Sequence, residues 1–294
     1  MIRGPAPTFS GKGMTRGIAA PLLTAETAKS ILEGNTHVSL DLGLSRVEVA
    51  IDDECVKLPG GAVVGLEDLR RIVDREDSVF FPEGGTLRQV SSWDGRFYKL
   101  VPTGSAPTLE IEGVRMHRTK DTTPDADAAE KVRALGISGG RVLDTCAGLG
   151  YTALEALRRG CDLVVSIEFG PEVLRIAQMN PWSRGLFTDG RVHLLIGDSY
   201  QLVGALPDGF FDYIIHDPPR FAHAGRLYGG EFYAEMHRAL RAGGNLFHYT
   251  GEPGSRHRRV DVRKGVMRRL RGVGFRRLRY HEETMGVTCE KIGR

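Results

Sequence analysis

The feature that most constrains this chain is a rhythm that begins at Thr123. From there strand-like apolar runs alternate with helical ones: RVLDTC before YTALEALRRG, DLVVSIEF before PEVLRIAQMN, then VHLLIGD, then FDYIIHD before GGEFYAEMHRALRAGG and GNLFHYT. Such alternation specifies an α/β chain with a mostly parallel sheet and helices on both faces, since each parallel neighbour needs a crossover. TPDADAAEKVRAL opens the series as a helix, with Thr123 as cap and Pro124 at its first position. The helix DVRKGVMRRLRGVGF and the strands RRLRYHE and GVTCEKI close it.

Ahead of that rhythm the chain reads differently. Residues 24–33, TAETAKSILE, form a short helix capped by Thr24. Short alternating runs follow: HVSLDL, RVEVAID, CVKLP, VFFPE, LRQVSSW, FYKLV and TLEIEGVRMH, with one helical insertion, GLEDLRRIVDR. The organisation expected is a flexible tail over 1–20, a small β-rich domain over 21–120 and a larger α/β domain over 121–294. No apolar run reaches the ~18 residues of a membrane span, and the first twenty residues lack the apolar stretch of a secretory signal. Cys55, Cys146, Cys161 and Cys289 have no metal-ligand or disulfide spacing, so the expectation is a cytoplasmic protein without a metal.

In open parallel sheets, ligands bind beyond the carboxyl ends of the strands. Here three strand ends carry an acid. Asp144 stands four residues before Gly148, at the end of the first strand, with Gly150 following. Gly148 to Ala153 fits a dinucleotide fingerprint, GxGxxA, which alone is a weak signal. Asp144 would repel a pyrophosphate and suits a ligand bearing an ammonium. Glu168 ends the second strand, where a carboxylate can accept from both ribose hydroxyls, and Asp198 ends the third. Each acid taken singly could instead cap a following helix.

LDTCAGLG, followed by Glu168 and Asp198 at successive strand ends, resembles the class I S-adenosylmethionine-dependent methyltransferases over residues 123–294. The resemblance implies a Rossmann-like sheet and S-adenosyl-L-methionine as cofactor. It also implies that Asp144 and the loop of Cys146, Ala147, Gly148 and Gly150, with Tyr151 and Thr152 opening the helix, hold the methionine part. Glu168 with Phe169 would meet the ribose, and Asp198 with Ser199 the adenine.

The fourth strand runs into Asp217-Pro218-Pro219-Arg220. Methyltransferases that modify planar amino groups carry a similar Asp/Asn/Ser-Pro-Pro-aromatic turn. Such an amine is a poor nucleophile because its lone pair is delocalised; an acceptor on its N–H and a fixed carbonyl can aim it at the methyl carbon. The resemblance makes Asp217 the acceptor, with Pro218 and Pro219 setting the backbone. Arg220 replaces the usual aromatic and can stack or pair with phosphate, and Phe221 follows to take the stacking role.

HDPPRF, with GVRMHRT and TPDADAAEKV ahead of the glycine loop, resembles predicted archaeal-type methyltransferases suspected of making N4-methylcytidine in ribosomal RNA. That implies contacts from His117, Arg118 and Thr123. Between Arg256 and Arg279 stand eleven Lys/Arg and one acid, Asp261. This block favours a phosphate-rich partner or is a solvated basic face. Arg256, Arg258 and Arg259 are its candidate contacts, and Tyr200, Phe221, Tyr228 and Tyr249 could grip a base or sit in the core.

The expectation is thus an RNA amino-methyltransferase acting on ribosomal RNA or a ribosomal subunit, not on a membrane. A protein glutamine methyltransferase would use nearly the same turn. An NAD-dependent dehydrogenase or a non-catalytic RNA-binding protein are the alternatives of another class. A carbon-5 pyrimidine mechanism is disfavoured, because no thiol follows the fifth strand. The oligomeric state is left open.

Overall fold

The computed structural model describes residues 20–219, 225–251 and 262–293. Helix α1 (Ala25–Leu32) starts at Thr24, whose hydroxyl accepts from the Thr27 amide at 3.2 Å. Then come β1 (His37–Val38), β2 (Val47–Glu48), β3 (Ala50–Ile51), β4 (Cys55–Lys57) and β5 (Val63–Gly65). Helix α2 (Leu66–Ile72) is followed by β6 (Phe80–Glu83), β7 (Thr86–Gln89) and β8 (Ser91–Trp93). β9 (Phe97–Val101), β10 (Thr108–Ile111) and β11 (Val114–Arg115) complete the strand-rich part.

These strands make several small antiparallel sheets, the largest in the order β11-β10-β9-β8. The run HVSLDL yields only two strand residues. Beyond Val38 the side chains of Ser39 and Asp41 take over the backbone: Gly43 N donates to Ser39 Oγ at 2.7 Å, and Ser45 N to Asp41 Oδ1 at 2.9 Å. Local bonds of this kind compete with a ladder and end it.

The second part contains α3 (Pro124–Leu135), β12 (Arg141–Asp144), α4 (Tyr151–Arg158), β13 (Leu163–Glu168) and α5 (Pro171–Met179). After α6 (Arg184–Thr188) come β14 (Val192–Ile196), α7 (Ser199–Leu202) and β15 (Phe211–His216). Helix α8 (Gly230–Ala239), β16 (Leu240–Tyr249), α9 (Val262–Gly272), β17 (Phe275–His281) and β18 (Gly286–Lys291) end the chain. One seven-stranded sheet results, in the order β14-β13-β12-β15-β16-β18-β17. The first five strands run parallel, and β18 and β17 are antiparallel. This is the mostly parallel α/β sheet the alternation implied, in the Rossmann-like form the resemblance implied.

Two local departures from the expected elements stand out. Thr123 occupies the cap position of α3 but makes no side-chain cap bond. The helix read through RALRAGG stops at Ala239, and Leu240 already begins β16. Within β16, a Cβ at Gly244 would lie 2.9 Å from the Asp212 carbonyl, so backbone meets backbone across the sheet.

The strand-rich part does not stand free of the larger sheet. Leu22, Tyr98 and Leu109 share one apolar core with Leu149, Val173 and Ile176. Tyr151 Oη donates to Pro107 O at 2.8 Å and Trp182 Nε1 to Leu42 O at 3.0 Å, while Ser92 bonds Glu172. Burial of apolar surface at ~25 cal/mol per Å² makes such a junction strong. Among the described residues no helix is long and apolar enough to cross a membrane.

Candidate functional site

The carboxyl ends of β12, β13 and β15 lie side by side, because these strands are neighbours in register. The turn after β12 is tight. Gly148 and Gly150 adopt left-handed φ of 53° and 82°, and a Cβ at Gly150 would sit 2.9 Å from Leu186 Cδ2. Above Gly148 the nearest atom a Cβ would meet is His117 Nε2, at 4.0 Å. The glycines therefore leave a backbone cradle whose roof is His117 of the strand-rich part. Ala147 N is spent on Ile167 O at 2.8 Å, fixing the cradle to the sheet.

Glu168 holds this cradle from the next strand. Its Oε2 accepts from Gly148 N and its Oε1 from Gly170 N, both at 2.8 Å. Burial pushes its carboxyl up, and those backbone amides pull against the rise. Phe169 beside it is 66% exposed, a large apolar ring at the rim. Asp198 caps α7, accepting from Tyr200 N at 2.9 Å, and lies 3.8 Å from Arg226. Ser199 is buried and donates to Thr145 O. Tyr200 donates to Glu231, under the Arg226 guanidinium at 4.1 Å.

Asp144 is fully buried. Ser166 Oγ donates to its Oδ2 at 2.8 Å, Thr152 Oγ1 reaches the same oxygen at 3.4 Å, and Cys146 N lies 3.4 Å from Oδ1. Burial pushes its carboxyl up to about 7, against the pull of those donors. Burial likewise drives the Cys146 thiol well above its ordinary value, so it is no thiolate nucleophile. Tyr151 stands elsewhere than the sequence implied. Its ring is in the shared core, and its hydroxyl is committed to Pro107 O and to Asn180 Nδ2 at 2.9 Å.

Asp217 follows β15 with its side chain 22% exposed, and it is not a lone acceptor. Lys131 Nζ of α3 donates to its Oδ2 at 2.6 Å and lies 2.7 Å from Asp127 Oδ2. Arg118 Nη1 donates to Asp127 Oδ1 at 2.7 Å and to Glu283 O. The Lys131 ammonium also lies 4.7 Å above the Tyr249 ring. Burial pushes the Asp217 carboxyl up and Lys131 opposes the rise; burial would lower Lys131, but its two carboxylates outweigh that and raise it. Pro218 is buried, and the Pro219 carbonyl accepts from Tyr228 Oη at 3.0 Å, so the turn is anchored. Arg220, Phe221, Arg256, Arg258 and Arg259 lie outside the described residues.

Sequence reasoning passed over two buried histidines behind this turn. His216 Nε2 donates to Leu227 O at 3.0 Å, which leaves Nδ1 to accept from Thr145 Oγ1 at 2.7 Å. His248 donates from Nδ1 to Tyr249 O at 2.6 Å and accepts from Tyr233 Oη at 2.7 Å, its ring edge-on to His216 at 4.4 Å. Burial lowers both, His216 to about 3, so they are neutral struts under Asp217. His117 accepts or donates through Nδ1 to Thr108 Oγ1 at 3.0 Å, and burial lowers it to about 4. Asp127 and Lys131 were also missed. Their four-residue spacing on α3 was visible, but only the fold turns that face inward.

The family profile described as Conserved hypothetical protein 95 matches residues 116–228. The polyamine aminopropyltransferase of Mycobacterium tuberculosis is 33% identical over 135 residues, 44% of this chain and 24% of that protein. The match thus spans about a quarter of that relative's length. A spermidine synthase solved in complex with the transition-state analogue AdoDATO superposes with a TM-score of 0.57 at 21% identity, covering 69% of this chain and 73% of that one. That likeness shows a common fold.

These findings correct the functional expectation. The glycine loop and the acids at the strand ends belong to a class I methyltransferase fold, as the resemblance implied. The relatives whose activity is named are polyamine aminopropyltransferases, so methylation of N4 in ribosomal cytidine, with the RNA-processing role attached to it, is withdrawn. Uncharacterized protein MJ1233 of Methanocaldococcus jannaschii is 44% identical over 277 residues, 92% of this chain and 95% of that protein. The chain belongs to the family of that archaeal protein.

Proposed function

We propose that this protein transfers the aminopropyl group of decarboxylated S-adenosylmethionine to an amine nitrogen of a polyamine. The observation that carries the reading is the 33% identity over 135 residues to a polyamine aminopropyltransferase. The charge at the strand ends supports it. Among the described residues, Asp127, Glu168, Asp198 and Asp217 stand there with Lys131, Arg118 and Arg226, and each of these cations already has a carboxylate partner. Among the described residues an amino-acid carboxylate would find each of these cations already paired. A donor bearing a sulfonium and an ammonium, and an acceptor that is itself a polycation, suit this acidic excess.

The donor supplies an electrophilic carbon beside its positively charged sulfur. Gly148, Glu168 and Asp198 would hold its adenosyl part, Glu168 through the lone pairs its two backbone bonds leave over. Asp217 would accept the N–H of the incoming amine and aim its lone pair. As the new C–N bond forms, the pair of the breaking C–S bond returns to sulfur, and the proton shed by nitrogen leaves through Asp217 to water.

The test offers the purified chain either decarboxylated S-adenosylmethionine or S-adenosylmethionine, with 1,4-diaminobutane or spermidine as acceptor, and reads products by mass spectrometry. An aminopropylated amine formed from the decarboxylated donor alone is the expected outcome. A methylated amine, or an acceptor unchanged with the decarboxylated donor, overturns the reading.

A further inference from the structure

We propose that Lys131 is the positioning residue of this site: its ammonium fixes the Asp217 carboxylate as a hydrogen-bond acceptor at the strand end and selects the neutral form of the incoming amine. The inference rests on the aminopropyl-transfer reading for its chemistry, and on geometry alone for the coupling between the two residues. Lys131 is 6% exposed in its side chain, far from the usual solvated lysine, and is clamped between Asp217 at 2.6 Å and Asp127 at 2.7 Å. Tyr249 closes a third side, with its ring 4.7 Å from the ammonium. A buried charge is retained only where its partners outweigh the loss of water.

Two consequences follow for an amine at Asp217. A buried carboxylate without a cation takes up a proton and then donates rather than accepts. The Lys131 ammonium prevents that. The same ammonium repels a protonated acceptor amine within a few ångströms, and only the neutral amine has a lone pair to give. Asp217 alone would do the opposite, trapping the acceptor as an unreactive ammonium. The pair is therefore tuned, with Lys131 cancelling the charge of Asp217 while leaving its lone pairs.

Among the described residues, the other charged and titratable groups facing the pair are Asp127 of α3, Arg118 behind Asp127, Asp144 at the end of β12, Cys146 of the glycine loop, His117 of the roof, and Tyr228 and Tyr249. They allow a test in which two variants move the same carboxylate in opposite directions. Lys131→Met removes the cation and should raise the pH at which Asp217 titrates by about 1 to 3 units. Asp127→Asn removes a competing carboxylate and should lower it. Carboxyl-labelled aspartate NMR on the full chain reads this without any turnover, with the Asp217 resonance assigned by its loss in Asp217→Asn.

In the transfer assay Lys131→Met should lower kcat at least tenfold near neutral pH and recover toward the unmodified enzyme as pH rises, while Lys131→Arg keeps the acid limb in place. An Asp217 resonance whose titration is the same in all three proteins overturns the inference, whatever the enzyme transfers. Wild-type protein that shows the NMR shifts but transfers no aminopropyl group overturns the functional reading and leaves the coupling standing. A Lys131→Met enzyme impaired by one constant factor at every pH overturns the selection of the neutral amine.

Discussion

The amide of Gly148 donates to the carboxylate of Glu168 at 2.8 Å, so the end of one strand holds the loop that leaves its neighbour. The residue read from sequence as a ligand contact is thereby also a structural clamp. A ligand that takes a lone pair from Glu168 meets a loop already fixed in place, which lowers the ordering cost of binding.

Glu168→Ala should release the Gly148 and Gly170 amides together. Two unmade backbone bonds in a buried setting, at about 1–3 kcal/mol each, predict a loss of up to about 6 kcal/mol of stability. Binding of the adenosyl donor should weaken at least tenfold beyond that. Urea unfolding and calorimetric titration separate the two; unchanged donor affinity in the folded variant would sink the clamp argument.

Gly150→Ala tests the cradle. The left-handed φ of 82° and the 2.9 Å approach to Leu186 act together against any side chain. The expected cost is about 1–3 kcal/mol. Leu186→Ala alone should cost about 2–5 kcal/mol because that leucine is buried, and in a double-mutant cycle it should cancel only the steric share of the Gly150→Ala cost, since the backbone angle is unaffected; thermal melts of both single variants and the double measure that coupling.

Asp144 makes a pH prediction. Its carboxyl is held at about 7 against an ordinary value of 3.8, so the native state keeps a proton that the unfolded chain has released. Its stabilising share is present at low pH and is lost as pH climbs between those values, then stays level. Relative to the unmodified protein, Asp144→Asn should therefore gain stability from pH 4.5 to pH 8, readable as a rising difference in urea midpoints. A constant difference would mean that Ser166 and Thr152 hold the carboxylate ionised.

Tyr151→Phe removes the hydroxyl that bonds Pro107 of the strand-rich part. Leaving that buried carbonyl unpaired should cost about 1–2 kcal/mol. One cooperative melt at a lower temperature is the expected trace; a strand-rich part that melts separately would show that the shared core is weaker than its packing implies.

The strand ends were legible in the sequence because apolar runs, glycines and acids recur there at short range. Glu168 and Asp217 stand out as acids that terminate an apolar run. Lys131 does not, since a lysine in DADAAEKV reads as a solvated face until β15 and β16 are laid against it. His216 and His248 were hidden for a related reason. Each lies in an apolar strand, and only the parallel pairing of residues 216 and 248 brings their rings together. The short strands before residue 116 were blurred by Ser39, Asp41 and their like, whose side chains bond the backbone locally and cut each run to a few residues.

The apolar core shared by the two parts bears on how molecules would come and go. A domain that meets its neighbour through loose polar contacts can swing as a lid; one whose leucines interlock with its neighbour's helices cannot leave without exposing them. His117 over the glycine cradle is then a fixed ceiling, not a door. A ligand would have to fit beneath a ceiling held in place by the core that the two parts share.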